Sequence, residues 1–163
     1  MIACVDVGYS SSGAKAACVV FSDWRDAVPA AEHTVSISQV AEYVPGEFYK
    51  RELPCILKVL KEVQSPLTTI VVDAYVWLDG AGRPGLGAYL YEALNRKTAI
   101  IGAAKTLFAP AAPQLVSRHL GAKPLYVTAA GMEPKVAASS IRSMHGNFRI
   151  TTLIKWEDTL SRE

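Results

Sequence analysis

The segment Ile2-Ala3-Cys4-Val5-Asp6-Val7-Gly8-Tyr9 opens the chain with a run of apolar residues that contains a single carboxylate. An apolar run of this length that ends in glycine predicts a strand buried on both faces of a sheet. A charged side chain is costly in such a strand unless it is paired or bound to a metal. Asp6 is therefore the first candidate functional residue, and we expect the rest of the chain to supply its partners.

The composition is that of an ordinary globular protein. Half of the 163 residues are hydrophobic and one-fifth are charged, and the net charge of +2 is too small to indicate a nucleic-acid or membrane partner by itself. No apolar run approaches the roughly 18 residues that a membrane-spanning helix needs. The three cysteines lie in apolar surroundings, which predicts buried, reduced thiols. We expect one domain over residues 1–163, no membrane partner and a cytoplasmic location.

The pattern of the remaining chain predicts an α/β fold. Apolar runs rich in β-branched residues predict strands, and apolar residues spaced three and four apart predict helices. A leading antiparallel hairpin and meander, followed by strands that alternate with helices, predicts a mixed sheet flanked by helices. The predicted strands are 2–8, 14–21, 33–37, 68–73, 98–102, 115–119 and 124–128, and the predicted helices are 51–63, 86–96, 134–145 and 154–161.

Three carboxylates stand at the ends of these elements. Asp6 lies in the first strand, Glu52 opens the first helix, and Asp73 ends the run TTIVVD. Sites in such sheets gather at the strand ends, so Asp6 and Asp73 meet there if their strands are neighbours. Clustered carboxylates need a cation, and Mg²⁺ or Mn²⁺ is the usual one for oxygen ligands. Spacing alone leaves open the alternative of separate surface or structural acids.

Several short motifs follow one another along the chain. They are Asp6-Val7-Gly8-Tyr9, Tyr43-Val44-Pro45-Gly46 with Arg51-Glu52, Val72-Asp73, Ile101-Gly102-Ala103-Ala104-Lys105, and Lys123-Pro124-Leu125-Tyr126-Val127 with Gly131. In this order they resemble the endonuclease V family. The ending Trp156-Glu157-Asp158 is also similar to that family's tryptophan-containing C-terminal helix. The resemblance covers nearly the whole chain, and Tyr-x-Pro-Gly-x5-Glu is a specific motif within it.

The resemblance implies an RNase H-like fold and a Mg²⁺-dependent endonuclease that acts near deaminated purines (inosine) in DNA or RNA. It implies that three acids bind the metal and that Lys105 contacts phosphate or the attacking water. It also implies a wedge that props open the nucleic-acid strand, a role that suits a rigid aromatic tip. By position, the metal-binding acids are Asp6, Glu52 and Asp73, and the wedge is Tyr43, Pro45 and Gly46.

The sequence departs from the family pattern at several positions. Arg83-Pro84 stands where the family has His-Pro, so Arg83 is a candidate phosphate contact. Gly131-Met132 stands where the family has Gly-His, and Glu133 is a candidate fourth acid because related RNase H-like nucleases carry one at the start of their last helix. The family's helical segment before the first strand has no counterpart ahead of Ile2. Further candidate phosphate contacts are Lys15, Arg25, Lys50 and Arg51.

Two other hypotheses follow from these observations. The departures are consistent with a catalytically silent descendant that binds nucleic acid or a partner protein. Separately, Asp6-x-Gly8 followed by a Ser/Gly turn and Lys15 resembles the first phosphate hairpin of ATP-using proteins of the actin and sugar-kinase type. Those proteins need two lobes, and 163 residues hold only one.

Overall fold

The computed structural model describes residues 1–120 and 122–163 of the chain. Within them, one mixed sheet has the strand order β3-β2-β1-β4-β5-β7-β6. The strands are β1 (Ile2–Ser10), β2 (Gly13–Phe21), β3 (Ala31–Ile37), β4 (Thr69–Val72), β5 (Ala99–Ala104), β6 (Gln114–Val116) and β7 (Leu125–Ala130). The helices are α1 (Tyr49–Leu60), α2 (Leu86–Ala93), α3 (Pro134–Ser143) and α4 (Thr152–Arg162). The predicted mixed sheet flanked by helices is confirmed.

The first three strands form an antiparallel meander at one side of the sheet. β1 and β2 pair along their whole length, and the hairpin closes where Ser10 lies opposite Gly13. Gly13 has a φ of +135°, which other residues rarely adopt, and a Cβ there would lie 2.1 Å from the carbonyl oxygen of Ile37. The tight serine-rich turn and the close third strand therefore depend on this glycine.

The centre of the sheet is parallel. β4 pairs with β1 on one side and with β5 on the other, and α1 and α2 connect these strands. Such crossovers bring the carboxyl ends of all three strands to one edge, which we call the C-terminal edge. This edge is where residues following β4 and β5 meet the second half of β1.

The last two strands differ from the prediction. β7 pairs antiparallel with β5, and β6 pairs antiparallel with β7, whereas parallel strands were expected after the meander. A parallel pair needs a crossover of a dozen or more residues, usually a helix. β7 instead follows β6 along the chain and pairs antiparallel with it, so it lies between β5 and β6 and runs opposite to both.

The sheet separates two apolar cores. One core packs α1 and α2 against residues such as Val5, Val7 and Val72. The other packs α3 and α4 against the alternate residues Cys4, Val71 and Ile101. Strands covered on both faces explain why these segments are almost continuously apolar. Within the described residues, no helix combines the length and apolar character needed to cross a membrane.

Candidate active site

Two aspartates stand side by side at the C-terminal edge. The parallel register of β1 and β4 runs to the pair Val5 and Val72, so Asp6 and Asp73 are the next residues on neighbouring strands. Side chains two residues apart on a strand lie on the same face, so Asp6 shares a face with Cys4, and Asp73 shares it with Val71. Helices α3 and α4 cover this face. The expected pairing of these two strands is observed, and it brings together carboxylates that are 67 positions apart in sequence.

Lys105 joins the pair from the next strand. Its ammonium lies 2.8 Å from Asp73 Oδ2, and about one-third of each side chain is exposed. Burial acts to lower the pKa of Lys105, but the hydrogen bond and the charge of Asp73 outweigh it, so the pKa is raised. Arg149 donates to the carbonyl oxygens of Lys105 and Pro124 and thereby holds the end of β5 in place. Lys105 is therefore a fixed positive charge at neutral pH.

Asp6 is positioned by helix α4. The Ser161 hydroxyl donates to Asp6 Oδ2 at 2.7 Å. This contact needs a glycine on β1, because a Cβ at Gly8 would lie 2.3 Å from the Ser161 carbonyl oxygen. Burial raises the pKa of Asp6, the charges of Asp158 and Asp73 raise it further, and the Ser161 hydrogen bond partly opposes them. The charged form of Asp6 is thus disfavoured by its surroundings.

Glu52 reaches the same edge from the other face of the sheet. It lies in the first turn of α1, which packs on the face opposite α4. Burial is the largest cause that raises the pKa of Glu52 to about 7, and the charges of Asp6 and Asp73 add to it. A hydrogen bond with Tyr9 opposes this rise. The three predicted acids therefore approach one another closely enough to interact electrostatically.

Helix α4 adds two acids that sequence reasoning missed. Glu157 is 2% exposed, and its Oε2 atom has no hydrogen-bond partner. Burial raises its pKa well above the ordinary value, as do the charges of Asp6, Asp73 and Asp158. Asp158 is held by Arg162 at 2.8 Å. The signal for Glu157 was its helical spacing from Leu153 and Ile154, which places a carboxylate within the buried stripe.

Glu133, which the sequence left open as a candidate fourth acid, does not join this site. It is exposed and precedes α3, just after β7 ends at Ala130. Ala130 pairs with Ile100 near the beginning of β5, so the chain leaves β7 at the edge opposite the acids. Met132 lies at that opposite edge too. The antiparallel direction of β7, which the sequence did not reveal, accounts for this position.

The sequence matches the family model of endonuclease V over residues 1–148. The chain belongs to the endonuclease V family. No curated protein matches it at a significant level. It is 24% identical to the Streptomyces avermitilis endonuclease V over 98% of this chain and 78% of that one, with a TM-score of 0.82. Endonuclease V of Ciona intestinalis, solved in complex with DNA containing an inosine followed by a ribo-adenosine, is 19% identical over 98% and 83% of the two chains, with a TM-score of 0.83.

The human endonuclease V catalytic domain is also similar, at 19% identity over 98% of this chain and 80% of that chain, with a TM-score of 0.77. At these identities the likeness of the solved structures establishes a shared fold. The expected family resemblance is therefore confirmed by the family model, and the expected architecture by the neighbours.

In this endonuclease V family member, the predicted wedge forms an exposed tip before α1. Tyr43 is 62% exposed, and Pro45 and Gly46 are also exposed. Gly46 has a φ of +81°. The tip and the β1–β2 turn border a cavity of about 390 Å³ that is also lined by Arg51. The tip is thus well separated from the apolar core and available for contact.

A second cavity lies beside Asp73 and Lys105. Its volume is about 350 Å³, and apolar side chains form much of its wall, including Phe48, Leu78 and Leu86. Tyr75 also lines it and is fixed there, because its hydroxyl donates to the Thr106 carbonyl and accepts from the Phe108 amide, each at 2.8 Å. The cavity lies next to the acids, which makes it a candidate pocket for a base.

Arg83 lies on the exposed loop that leads into this cavity. Asp79 Oδ1 accepts hydrogen bonds from the backbone amides of Ala81 and Arg83, which shapes the loop. The loop then enters α2 at Gly85 and Leu86, and both of these residues line the cavity. Arg83 is therefore near the candidate base pocket in sequence, and its backbone is ordered by Asp79.

The acids of the C-terminal edge match a hard divalent cation in donor chemistry. Carboxylate oxygens are the ligands that Mg²⁺ and Mn²⁺ prefer. Burial raises the pKa values of Asp6 and Glu52, and the charges of neighbouring acids raise them further. As the side chains stand, no three His, Cys, Asp or Glu residues in 1–120 and 122–163 are arranged to hold a metal. Each aspartate instead contacts its own partner, Ser161 for Asp6 and Lys105 for Asp73.

Proposed function

We propose that this protein is a metal-dependent endonuclease that cleaves phosphodiester bonds near deaminated purines such as inosine, in DNA or RNA. The observation that carries this proposal is the meeting of Asp6, Asp73 and Lys105 on three neighbouring strands, with Glu52 facing them from α1. Such a nuclease serves DNA repair or RNA processing. We also propose that residues 1–163 act as one domain.

In this proposal, Asp6, Glu52 and Asp73 hold Mg²⁺ or Mn²⁺. When bound, the metal lowers the pKa of an attacking water and neutralises charge that develops on phosphate. The acids are held in place from separate directions, Asp6 by Ser161 and Asp73 by Lys105. Lys105 supplies a second positive charge, and its raised pKa keeps it protonated beside a phosphate oxygen.

The substrate preference rests on the wedge and on the cavity beside the acids. An exposed aromatic such as Tyr43 can replace the stacking that is lost when a base leaves the strand. A base turned out of the strand would meet the apolar wall at Phe48 and Leu86, next to Lys105. The Ciona relative was solved with inosine-containing DNA, which supports the same substrate class here. Arg83 contacts a phosphate near this pocket.

The test is cleavage of single-stranded DNA and RNA that contain one inosine, with Mg²⁺ or Mn²⁺ and with adenosine oligonucleotides as substrate controls. We expect cleavage near inosine by the intact protein. Asp6→Ala and Glu52→Gln should each reduce the rate at least about 100-fold, because a metal ligand acts throughout the reaction. Glu62→Gln is the matched control for Glu52→Gln, since Glu62 is exposed just beyond the far end of α1.

Two results would overturn the proposal. One is the absence of cleavage of every substrate by the intact, folded protein. The other is an unchanged rate after Asp6→Ala. Equal cleavage of adenosine and inosine oligonucleotides would retain the nuclease but reject the proposed lesion specificity.

A catalytically silent descendant that binds nucleic acid is the second candidate. It is favoured by the separate partners of the acids and by the lack of a ready-made metal arrangement among the described residues. Calorimetric titration with Mn²⁺ separates the two functions. Binding that is lost in Asp73→Asn supports the nuclease, whereas no heat of binding together with retained affinity for oligonucleotides supports the silent descendant.

A further inference from the structure

We propose that Lys15, Arg162 and the serines around the β1–β2 turn form a second phosphate subsite, which binds the nucleic-acid backbone beyond the scissile bond. This inference rests on the proposed function for its ligand. It concerns residues on the side of Asp6 away from Asp73 and Lys105. The proposed subsite therefore extends the binding surface from the acids toward the β1–β2 turn.

Lys15 lies close to the acids in the sheet. Lys15 pairs with Gly8, two residues beyond Asp6 along β1, or about 7 Å along the strand. The alternation of β2 places Lys15 on the same face as Val19, which packs in the core beneath α4, and Asp6 lies on that face too. Gly8 has no side chain, and the backbone of Ser161 packs over it, so the end of α4 links this position of Lys15 to the acids.

Lys15 also lines a polar cavity. Its volume is about 450 Å³, and it lies between the β1–β2 hairpin, the end of β3 and the end of α4. Two cations and five serines from three separate parts of the chain line it, together with the acid Glu163, and one of the serines is Ser161, which binds Asp6. The members used here are Ser10, Ser12, Lys15, Ser36, Ser38 and Arg162. Hydroxyls and cations are the groups that bind phosphate oxygens.

Arg162 is held in a fixed position at this cavity. Its guanidinium contacts Asp158 Oδ1 through Nε at 2.9 Å and Nη2 at 2.8 Å, while 71% of its side chain is exposed. The guanidinium therefore remains accessible to a ligand although one edge is paired. Because Asp158 follows the buried Glu157, α4 connects this cation directly to the acid cluster.

The proposed subsite is continuous with the wedge. The cavity at Lys15 and the cavity at Tyr43 share three lining residues, Ser10, Ser12 and Ser38. The serine-rich turn is therefore the common wall between the wedge and the cationic cavity. A polar groove that runs from an aromatic tip past hydroxyls to two cations fits a single nucleic-acid strand, whose bases stack and whose phosphates carry the charge.

The experiment measures the affinity of the full chain for a single-stranded oligonucleotide with one inosine, without added metal, over a series of salt concentrations. In Lys15→Met we expect a several-fold weaker affinity and a slope of log K against log salt that is smaller by about 0.7, the value for one phosphate contact on a single strand. Lys15→Arg should restore both. Lys61→Met is the matched control, because Lys61 is exposed at the end of α1, at the opposite edge of the sheet.

Oligonucleotides with one methylphosphonate linkage then locate the contact. The intact protein should lose affinity when the neutral linkage is at one position beyond the inosine, and Lys15→Met should be insensitive to that same linkage. Ser12→Ala should partially reduce the loss of affinity that this neutral linkage causes. Unfolding by urea should show that Lys15→Met and Lys61→Met are equally stable.

The outcomes separate the subsite from the proposed function. Cleavage with unchanged salt slope and unchanged linkage profile in Lys15→Met overturns the subsite and leaves the nuclease intact. Lys15-dependent binding without any cleavage supports the subsite and overturns the nuclease. A loss of affinity that is the same in Lys61→Met overturns the subsite, because it reflects net charge alone.

Discussion

Each of three aspartates forms a hydrogen bond or an ion pair with a partner of its own. Ser161 binds Asp6, Lys105 binds Asp73 and Arg162 binds Asp158, at distances of 2.7, 2.8 and 2.8 Å. Glu157 differs, because it is buried and its Oε2 atom lacks a partner. A hydrogen bond to a charged group contributes about 1.5–3 kcal/mol, whereas an exposed ion pair four residues apart on a helix, such as Arg162 and Asp158, contributes about 0.3–0.5 kcal/mol. These contacts offset part of the repulsion between the acids.

Glu52 gives a prediction about pH at the residue scale. Its pKa is raised from the ordinary 4.5 to about 7, so the folded protein binds more protons than the unfolded chain between these values. The contribution of Glu52 to the free energy of unfolding is fully present below pH 4.5 and is lost as the pH rises through 7. The free energy of unfolding falls by roughly 3 kcal/mol over this range. Glu52→Gln should remove this loss, so the variant becomes progressively more stable than the intact protein from pH 5 to 8.

Urea unfolding with a chelator present, at intervals between pH 5 and 8, measures this difference. Glu62→Gln controls for the loss of one charge from the same region, and it should follow the pH profile of the intact protein. A parallel pH profile for Glu52→Gln would contradict the electrostatic account of this residue.

At the scale of elements, helix α4 completes the candidate site at the end of β1. It packs on β1 and β2, covers the core on one face, and supplies Glu157, Asp158 and Ser161 to the acid edge. The contact is closest at Gly8, where the helix backbone meets the strand backbone. The glycine that ends the apolar run of the first strand is therefore required by packing of the C-terminal helix.

Gly8→Ala should separate α4 from β1. A Cβ at this position would meet backbone atoms of Ser161 at 2.3 and 2.8 Å, which cannot move without moving the helix. Overpacking of this kind costs about 1–3 kcal/mol. Gly80→Ala is the matched control, because a Cβ at Gly80 meets no atom within 4 Å.

Urea unfolding should show the loss of stability in Gly8→Ala and a change within about 0.5 kcal/mol in Gly80→Ala. Hydrogen exchange should also be faster at the amides of α4 in Gly8→Ala. Equal stability of the two variants, with unchanged exchange in α4, would show that this contact does not hold the helix in place.

The elements themselves were predictable because their signals are local. Every predicted strand and helix is present, with ends that differ by a few residues, as for α1 (predicted as 51–63) and β6 (predicted as 115–119). The direction of β7 and the packing of α4 were not predictable, because they depend on contacts between distant segments. For that reason Asp6 and Asp73 could be placed together from their strands, whereas the position of Glu133 stayed open and Asp158 was overlooked.

At the scale of the whole molecule, the acids come from four segments that only the complete sheet brings together. β1, α1, β4 and α4 contribute Asp6, Glu52, Asp73 and Glu157, from both faces of the sheet. Their repulsion opposes folding, and a cation that binds only the folded arrangement reverses it. Any such ligand stabilises the whole protein by an amount that depends on its concentration relative to its Kd.

Mn²⁺ or Mg²⁺ should therefore raise the unfolding temperature, and the rise should be larger at pH 8 than at pH 5. At pH 5 the metal must displace the proton from Glu52, because burial and the neighbouring acids raise the pKa of Glu52 to about 7 in the metal-free protein. At 100 times Kd the stabilisation is about 2.7 kcal/mol. Calorimetric unfolding of the intact protein and of Asp73→Asn, with Glu62→Gln as the control for charge, measures it. A rise of equal size at both pH values, or one retained in Asp73→Asn, would mean that the cation binds elsewhere, since binding at the acid edge is coupled to the proton that Glu52 carries.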